Sequence, residues 1–330
     1  MKFDDEMLHS GIATFVGSDY VLMDDVKEYE VAVVGVPVDM GASYRLGAKM
    51  GPRAIREHSM WKKIDGLECY DYDNRKYVTT NDLKICDVGD VRVCNGNLML
   101  TQERLIKAVS KIRETTFPVI LGGDHSITYG GFVGVKNTFK DKRIGLLHFD
   151  AHNDTEPNAD NLSEINHCNQ FTTLLNKEYV RGTDMVTIGV RGIVNKTWHD
   201  FAISKGVTHI TANEFNNQEP GQVLQFLKDK FKDCDGIYVT FDMDSLEAAY
   251  SEGTGTPKYN GLKIMKTLEV LRGLKDFKVY AFDIVELCPD QDASGITSFI
   301  AWEVLYNFLA LGYNKEKNNE TKWNINHIKR

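Results

Sequence analysis

The sequence is poor in positive charge, in long apolar runs and in paired cysteines, and each shortage excludes a class of protein. Its 330 residues carry 39 Lys and Arg against 47 Asp and Glu, a formal net charge of −8. A nucleic-acid partner is therefore not expected, because phosphate binding needs clustered positive charge. Hydrophobic residues at 42% and charged residues at 26% are the proportions of an ordinary globular protein.

Export and membrane segments are also lacking. The N-terminus, MKFDDEMLHS, has acids where a secretory signal needs a basic start and an apolar run. The longest apolar stretches, such as 144–147 and 299–302, fall far short of the ~20 residues that cross a bilayer. The six cysteines form no Cys-x-x-Cys pair, which argues against a zinc ribbon or a thioredoxin-type site. We therefore expect a cytoplasmic protein with reduced thiols and no membrane partner.

What the sequence does contain is an alternation of short β-branched runs and longer helical patterns, typical of βα units with a buried parallel sheet. Eight runs are predicted as strands: 31–36, 83–88, 118–121, 143–149, 185–190, 207–210, 236–241 and 278–284. The helical candidates between them are 52–58, 102–114, 197–205, 222–232 and 298–311.

No Pro-, Gly- or Ser-rich linker, internal repeat or composition shift interrupts this alternation. We therefore predict a single domain over residues 1–330. The segment 314–330, NKEKNNETKWNINHIKR, is rich in Asn and Lys and is interpreted as a polar tail that is solvated or contacts another subunit.

Polar clusters follow four of the predicted strands, at the edge where open α/β sheets bind their ligands. In chain order the clusters are GGDHS (122–126), DAHND (150–154), DMD (242–244) and DIVE (283–286). Four different strands thus deliver acids or histidines to one edge of the sheet.

The spacing within these clusters indicates a metal site. Asp150, His152 and Asp154 are spaced i, i+2, i+4, so an extended segment points all three to one side, and Asp242 and Asp244 repeat that spacing. Four acids within a few ångströms would repel each other severely unless a pair of divalent cations compensated them. Mixed carboxylate and imidazole ligands favour two Mn²⁺, with Ni²⁺ or Co²⁺ as alternatives.

Simpler interpretations exist for single residues of this set. A lone aspartate after a strand is more often a helix cap than a ligand, but capping does not account for six such side chains after three strands. His148 lies inside an apolar strand and is interpreted as a packed, hydrogen-bonded core histidine.

GGDHS, DAHND and FDMDSL (241–246) resemble the signature segments of the ureohydrolases, manganese enzymes that include arginase, agmatinase, guanidinobutyrase and formimidoylglutamase. The segments that look most like agmatinase-type sequence are 35–56, GTGTP (253–257), 271–276 and 283–297. The resemblance runs from about residue 30 to 312, which we take as the core of the domain. It implies a three-layer α/β/α fold around an eight-stranded parallel sheet, in agreement with the strand count.

The resemblance also implies a ligand set for each metal ion. Carried over by position, one Mn²⁺ takes His125, Asp150, Asp154 and Asp242. The other takes Asp150, His152, Asp242 and Asp244, so that Asp150 and Asp242 bridge the pair. A hydroxide between the metals would attack the guanidinium carbon, because coordination lowers the pKa of water towards neutrality. Urea and an amine would be released.

Three residues are implied to act in catalysis or substrate binding. Glu286 matches the glutamate that pairs with the guanidinium, since a carboxylate accepts two parallel N–H bonds from this planar cation. His167 matches the histidine that shuttles a proton to the departing amine. Asp154 is expected to accept a hydrogen bond from the bridging hydroxide.

Departures from the agmatinase pattern bear on the substrate. They lie at His167-Cys168-Asn169-Gln170, at Glu247-Ala248, at 250–252 and in the long loop 155–166, and none is a predicted metal ligand. We expect agmatine, which gives putrescine and urea, with Glu164, Glu247 and Glu252 available to meet its amine. Arginine, 4-guanidinobutyrate, guanidine and formimidoylglutamate are the alternatives.

Two other kinds of function stay open. Single-zinc deacetylation on a related fold is disfavoured by the complete second-metal set, and a catalytically silent subunit is disfavoured by the presence of Glu286 and all six ligands. A Cys168–His167 nucleophilic pair is also disfavoured, because adjacent residues rarely meet in hydrogen-bonding geometry. The resemblance further implies a homotrimer or homohexamer.

Overall fold

The computed structural model describes residues 11–157 and 165–318, which are organised around one parallel sheet of nine strands. The sheet strands are β1 (Asp19–Tyr20), β2 (Val31–Gly35), β5 (Ile85–Asp90), β6 (Phe117–Leu121), β7 (Ile144–Phe149), β8 (Met185–Val190), β9 (Thr208–Thr211), β10 (Gly236–Asp242) and β11 (Val279–Val285). Their order across the sheet is β1-β5-β2-β6-β11-β10-β7-β8-β9. The predicted α/β class with a parallel sheet is confirmed.

The predicted count of eight strands is wrong by one. All eight predicted runs form strands, and the ninth is the two-residue β1, which pairs with β5 through Asp19 and Tyr20. Both residues of β1 are exposed, so no apolar run marks this strand in the sequence. A separate antiparallel hairpin, β3 (Glu68–Asp71) with β4 (Lys76–Thr79), was not predicted either, because both of its strands are mostly solvent-facing.

Helices cover both faces of the sheet. They are α1 (Gly51–Ser59), α2 (Leu98–Arg113), α3 (Ile127–Thr138), α4 (Gln170–Asn176), α5 (Lys196–Lys205), α6 (Ala212–Asn217), α7 (Pro220–Lys230), α8 (Ile264–Gly273), α9 (Ile296–Tyr306) and α10 (Lys315–Asn318). A π-helical turn over Asn307–Gly312 continues α9, so the predicted helix 298–311 is one element with two geometries. No helix of the described ranges is long and apolar enough to span a bilayer.

Alternate residues of each strand divide the core into two layers, as expected for a sheet buried on both faces. On β2, Val31 and Val33 pack with α1 and α6 to α9, whereas Ala32 and Val34 pack with α2 to α5. The three-layer α/β/α architecture is therefore confirmed. The predicted extent of the domain over 1–330 stays a prediction, and most of the predicted tail lies outside the described residues.

The strand order positions the functional site. The four strands that precede the polar clusters, β6, β11, β10 and β7, are neighbours in the centre of the sheet. Because all of them are parallel, their carboxyl ends lie at the same edge. The chain passes from β6 to β7 across the later strands β10 and β11, and such a topological switch point is where open α/β sheets form ligand crevices.

Candidate metal centre and active site

His125 is the hub of a buried cluster of ligand-type side chains. Its Nδ1 lies 3.0 Å from Asp150 Oδ2, 3.2 Å from Asp154 Oδ2 and 3.1 Å from Asp242 Oδ2. All four side chains are almost fully buried. The histidine lies just before α3, whereas Asp150 and Asp154 follow β7 and Asp242 ends β10, so the cluster depends on the strand order.

A second group shares Asp150 with the first. His152 Nδ1 lies 3.2 Å from Asp150 Oδ1 and 3.1 Å from Asp244 Oδ2. Ligand-type atoms of Asp150, His152 and Asp244 lie within 4.8 Å of one another, as do those of His125, His148, Asp150 and Asp154. The structure therefore brings all six predicted ligands together in two adjoining groups.

The backbone reaches this arrangement without the extended geometry that the i, i+2 spacing predicted. Asp154 has a left-handed backbone, with φ +50°, which turns its carboxylate back towards His125. Asp244 lies in a 3₁₀ turn, and its backbone N–H donates to Asp242 Oδ1 over 2.7 Å. In the Asp242 carboxylate, Oδ1 therefore caps the turn, whereas Oδ2 is the oxygen that faces His125 and is available as a ligand.

The electrostatics of the cluster fit divalent cations. Burial and the charges of Asp244 and Asp150 raise the pKa of Asp242 well above its usual range, which is the signature of uncompensated negative charge. Burial alone would lower the pKa of His125, but its hydrogen bonds to Asp150, Asp154 and Asp242 raise it well above the usual value. Two divalent ions would neutralise these four carboxylates and return both imidazoles to neutral donors, so the residues present fit a dinuclear centre.

Glu286 lies beside the cluster, directly after β11, and holds one oxygen free. Its Oε1 accepts the backbone N–H of His125 at 2.9 Å and contacts His167 Nδ1 at 3.0 Å. Its Oε2 is buried without a hydrogen-bond partner among the described residues. The backbone at Glu286 is left-handed, with φ +61°, a strained conformation of the kind that collects at functional sites.

His167 is held from both sides of its ring. Nδ1 faces Glu286, whereas Nε2 lies 2.7 Å from Ser43 Oγ and accepts the Ser43 backbone N–H at 3.0 Å. Burial favours the neutral ring, but hydrogen bonds to Cys168 and Glu286 outweigh it and raise the pKa of His167 to about 12. This charge effect disagrees with the contact to Ser43, because a backbone N–H can only donate and so requires a lone pair on Nε2. We follow the contact geometry and assign the neutral ring, with its proton on the Nδ1 that faces Glu286.

Residues 29–311 of this chain match the sequence model of the Arginase family. The chain belongs to the arginase family. An agmatinase from Chromobacterium violaceum is 30% identical over 312 residues, covering 94% of this chain and 92% of that relative. The mitochondrial guanidino acid hydrolase of Homo sapiens is 34% identical, covering 85% of this chain and 77% of that relative.

Solved structures of the arginase family show the same fold. Proclavaminate amidinohydrolase from Streptomyces clavuligerus superimposes with a TM-score of 0.79 at 29% identity, over 92% of this chain and 97% of that one. A hypothetical agmatinase from Burkholderia thailandensis gives a TM-score of 0.80 at 27% identity, over 92% and 91%. The protein is therefore an agmatinase-like member of the ureohydrolases and a hydrolytic enzyme.

Two residues contact the proposed ligands in ways that the sequence analysis did not predict. His148 is buried and hydrogen-bonded, as interpreted, but its Nε2 contacts Asp150 Oδ2 at 2.7 Å while its Nδ1 contacts Thr187. The i, i+2 spacing that linked Asp150 to His152 also links His148 to Asp150, so this signal was present. Gln170, which donates to Asp154 Oδ2 at 2.7 Å, comes from a departure segment and had no such signal.

A buried carboxylate and a half-buried guanidinium position loops of the site. Asp124 accepts the backbone N–H groups of Gly41 and Ser126, which ties the loop that carries Ser43 to the start of α3. Arg191 donates to six backbone carbonyls of the surrounding loops, those of Gly189, Asp244, Ser245, Leu246, Lys258 and Tyr259. Both residues act through other residues, so spacing patterns around ligands could not identify them.

Gly255 keeps space open in front of the free oxygen of Glu286. A Cβ at this position would lie 3.3 Å from Glu286 Oε2 and 3.1 Å from the carbonyl oxygen of Arg45. We expect Gly255→Ala to raise the KM for substrate at least about tenfold, equivalent to about 1.4 kcal/mol, because the methyl group occupies the approach to Oε2. Steady-state kinetics on metal-saturated protein measure the effect.

The matched control for this substitution is Gly221→Ala. A Cβ at Gly221 meets no atom within 4 Å, so this variant should keep the wild-type KM. An unchanged KM for Gly255→Ala would show that substrate does not use the space beside Oε2.

Proposed function

We propose that this protein hydrolyses a C–N bond of a guanidino group in a small substrate and releases urea and an amine. The observation that supports this most directly is Glu286 Oε2, which is buried, has no hydrogen-bond partner in the described ranges and lies next to a cluster of metal-type ligands. A buried carboxylate oxygen without a donor is costly, and a planar cation with several N–H groups supplies the missing partner.

The proposed metal centre uses the six clustered side chains. One divalent ion would be held by His125, Asp150, Asp154 and Asp242, and the other by Asp150, His152, Asp242 and Asp244. Mn²⁺ is the proposed ion, with Ni²⁺ and Co²⁺ as alternatives, because the donors are carboxylates and imidazoles without thiolate. When bound, such a pair activates water for attack near neutral pH.

The protein side chains then orient substrate and protons. Glu286 Oε2 would accept a guanidinium N–H, which holds the planar group against the two ligand groups. His167 Nδ1 lies 3.0 Å from Glu286 Oε1, so a proton on this nitrogen is held beside the carboxylate that would pair with the guanidinium. We propose that His167 passes a proton to the departing amine.

Agmatine is the first substrate to test, since several relatives are named agmatinase. The acids expected to bind its amine give only partial support. Glu252 is exposed and its carboxylate lies 3.5 Å from Ser294 Oγ, Glu247 is half-buried, and Glu164 lies outside the described residues. Guanidino acids are the second candidate, because two cationic side chains, Arg191 and Lys258, border the site.

A urea-release screen tests the proposal. Protein loaded separately with Mn²⁺ and Ni²⁺ is assayed with agmatine, arginine, 4-guanidinobutyrate and guanidine, and the metal content is measured in parallel. We expect two ions per chain and metal-dependent urea release from at least one compound. No urea from any of them at full loading would favour a silent subunit, and one ion per chain would favour zinc-type deacetylation.

The remaining proposals concern assembly and location. A homotrimer or homohexamer is proposed from the resemblance, and light scattering on the purified protein measures it. A cytoplasmic location is proposed from the N-terminal sequence, and fractionation of cells that express the full chain tests it.

A further inference from the structure

A cavity of about 310 Å³ lies beside the proposed centre, at the carboxyl ends of β7, β8 and β9. It shares His152 with the metal groups, and its other lining includes Ile193, Val194, Trp198, Arg191 and Lys258. This volume is at the lower end of the range for small-molecule sites. We propose that the cavity receives the tail of the substrate and that Lys258 selects a tail that ends in a carboxylate.

The first argument is the charge of the lining. The described residues that line the cavity include no Asp or Glu, whereas they include the cations Arg191 and Lys258. Its other titratable groups are the imidazoles of His152, His199 and His209, which add no negative charge. An ammonium tail would therefore enter without a counter-ion, and an unpaired charge is costly in a partly desolvated site.

The second argument is that Lys258 has N–H groups available for a ligand, whereas Arg191 uses its N–H groups on carbonyls of the protein. Arg191 uses its guanidinium on six backbone carbonyls. Lys258 Nζ donates to one acceptor, the carbonyl oxygen of Arg191 at 3.1 Å, and no other acceptor for it lies among the described parts of the chain. Since an ammonium has three N–H groups, two of them remain for a ligand.

The third argument is that Lys258 lies close to the reacting centre. It lies two residues after Thr256, whose hydroxyl donates to Asp244 Oδ2 at 3.2 Å, and its stem would be 3.7 Å from a Cβ on Gly192. The nearby negative charges of the metal groups belong to four aspartates, which two divalent ions would balance. In the loaded protein, Arg191 and Lys258 then have no carboxylate partner among the described residues that line the cavity, and of the two Lys258 is the one with donors left for a ligand.

The apolar side chains of the lining favour a substrate tail with methylene groups between its two charged ends. Ile193 and Val194, which are 97% and 40% exposed, line the cavity together with Trp198 of α5. These side chains suit the methylene groups between a guanidinium and a terminal carboxylate. The inference rests on the proposed function, and it places a guanidino acid such as 4-guanidinobutyrate ahead of agmatine.

The test compares three guanidino compounds that differ in their tails: 4-guanidinobutyrate with a carboxylate, agmatine with an ammonium, and guanidine with no tail. We expect Lys258→Met to lower kcat/KM for 4-guanidinobutyrate about 10- to 100-fold, mainly through KM, and to leave guanidine unchanged. Lys258→Arg should keep most of the wild-type preference, and Lys258→Glu should shift it towards agmatine. Calorimetric binding of the product 4-aminobutyrate should weaken in parallel in Lys258→Met.

Lys196→Met is the matched control, because Lys196 is next in sequence to the lining residue Asn195 but does not line the cavity and pairs with Asp200 on the exposed face of α5. It should change none of these values. If the wild type prefers agmatine and Lys258→Met changes no ratio between the compounds, the inference is overturned while the proposed function stands. If no guanidino compound is hydrolysed, the proposed function itself fails.

Discussion

Asp150→Asn should abolish hydrolysis and lower the metal content below two ions per chain. Asp150 is one of the two acids proposed to hold both ions, and its oxygens contact His125, His148 and His152. An amide offers one neutral oxygen in place of two charged ones, so neither group keeps its donor set. Because partners outside the ligand set are already worth about 10- to 100-fold, we expect a loss greater than about 100-fold for this residue.

The measurement is urea release together with metal analysis, in protein dialysed against excess Mn²⁺. Circular dichroism shows whether the variant is folded. Asp200→Asn, on the exposed face of α5, is the control and should keep both activity and metal content. Activity retained by Asp150→Asn at full metal loading would refute its place in the centre.

Glu286→Gln should leave two metal ions bound and weaken every guanidino substrate. The glutamine oxygen can still accept from His125 N–H, which then points the amide NH₂ group towards the space that Oε2 occupied. That group donates where the guanidinium also donates, so a charged hydrogen bond becomes a repulsive contact. Removing one partner of such a buried pair costs about 2–5 kcal/mol, or about 30- to 5,000-fold in kcat/KM.

Kinetics with the best substrate of the screen, and metal analysis of the same samples, check this result. Glu286→Ala should show the same separation between substrate binding and metal content. Glu57→Gln, which removes an exposed acid paired with Arg53, serves as the control. Unchanged kinetics for Glu286→Gln would mean that the guanidinium binds in a different pocket.

The fold was predictable where burial imposed a pattern. Each of the eight predicted runs lies within two residues of an observed strand, because strands covered on both faces are continuous apolar runs. The strands that were not predicted are exposed to solvent instead of buried. The strand Asp19–Tyr20 and the hairpin of β3 and β4 are mainly exposed, so hydrogen bonding across the chain defines them and hydrophobic pattern does not.

Which side chains cluster was also predictable, whereas the geometry of the cluster was not, and their roles as ligands stay a prediction. Residue types and spacing identified His125, Asp150 and Asp242 as candidate ligands. That their atoms lie about 3 Å apart follows from the placement of β10 and β11 between β6 and β7. Contacts between residues more than 100 positions apart, such as His125 with Asp242, leave no periodic signal in the chain.

The sequence by itself determined the α/β class, the parallel strands and the side chains available for a metal centre, because these depend on local pattern and residue chemistry. The tertiary structure decided which atoms remain open to a ligand. Glu286 Oε2 has no hydrogen-bond partner among the described residues, whereas Oε1 is used by His125 and His167, and Arg191 donates to the carbonyl of Lys258 in the loop that borders the centre. Such pairings depend on strand order and loop packing. The proposed preference for one kind of substrate tail therefore depends on the tertiary structure and not on local sequence pattern.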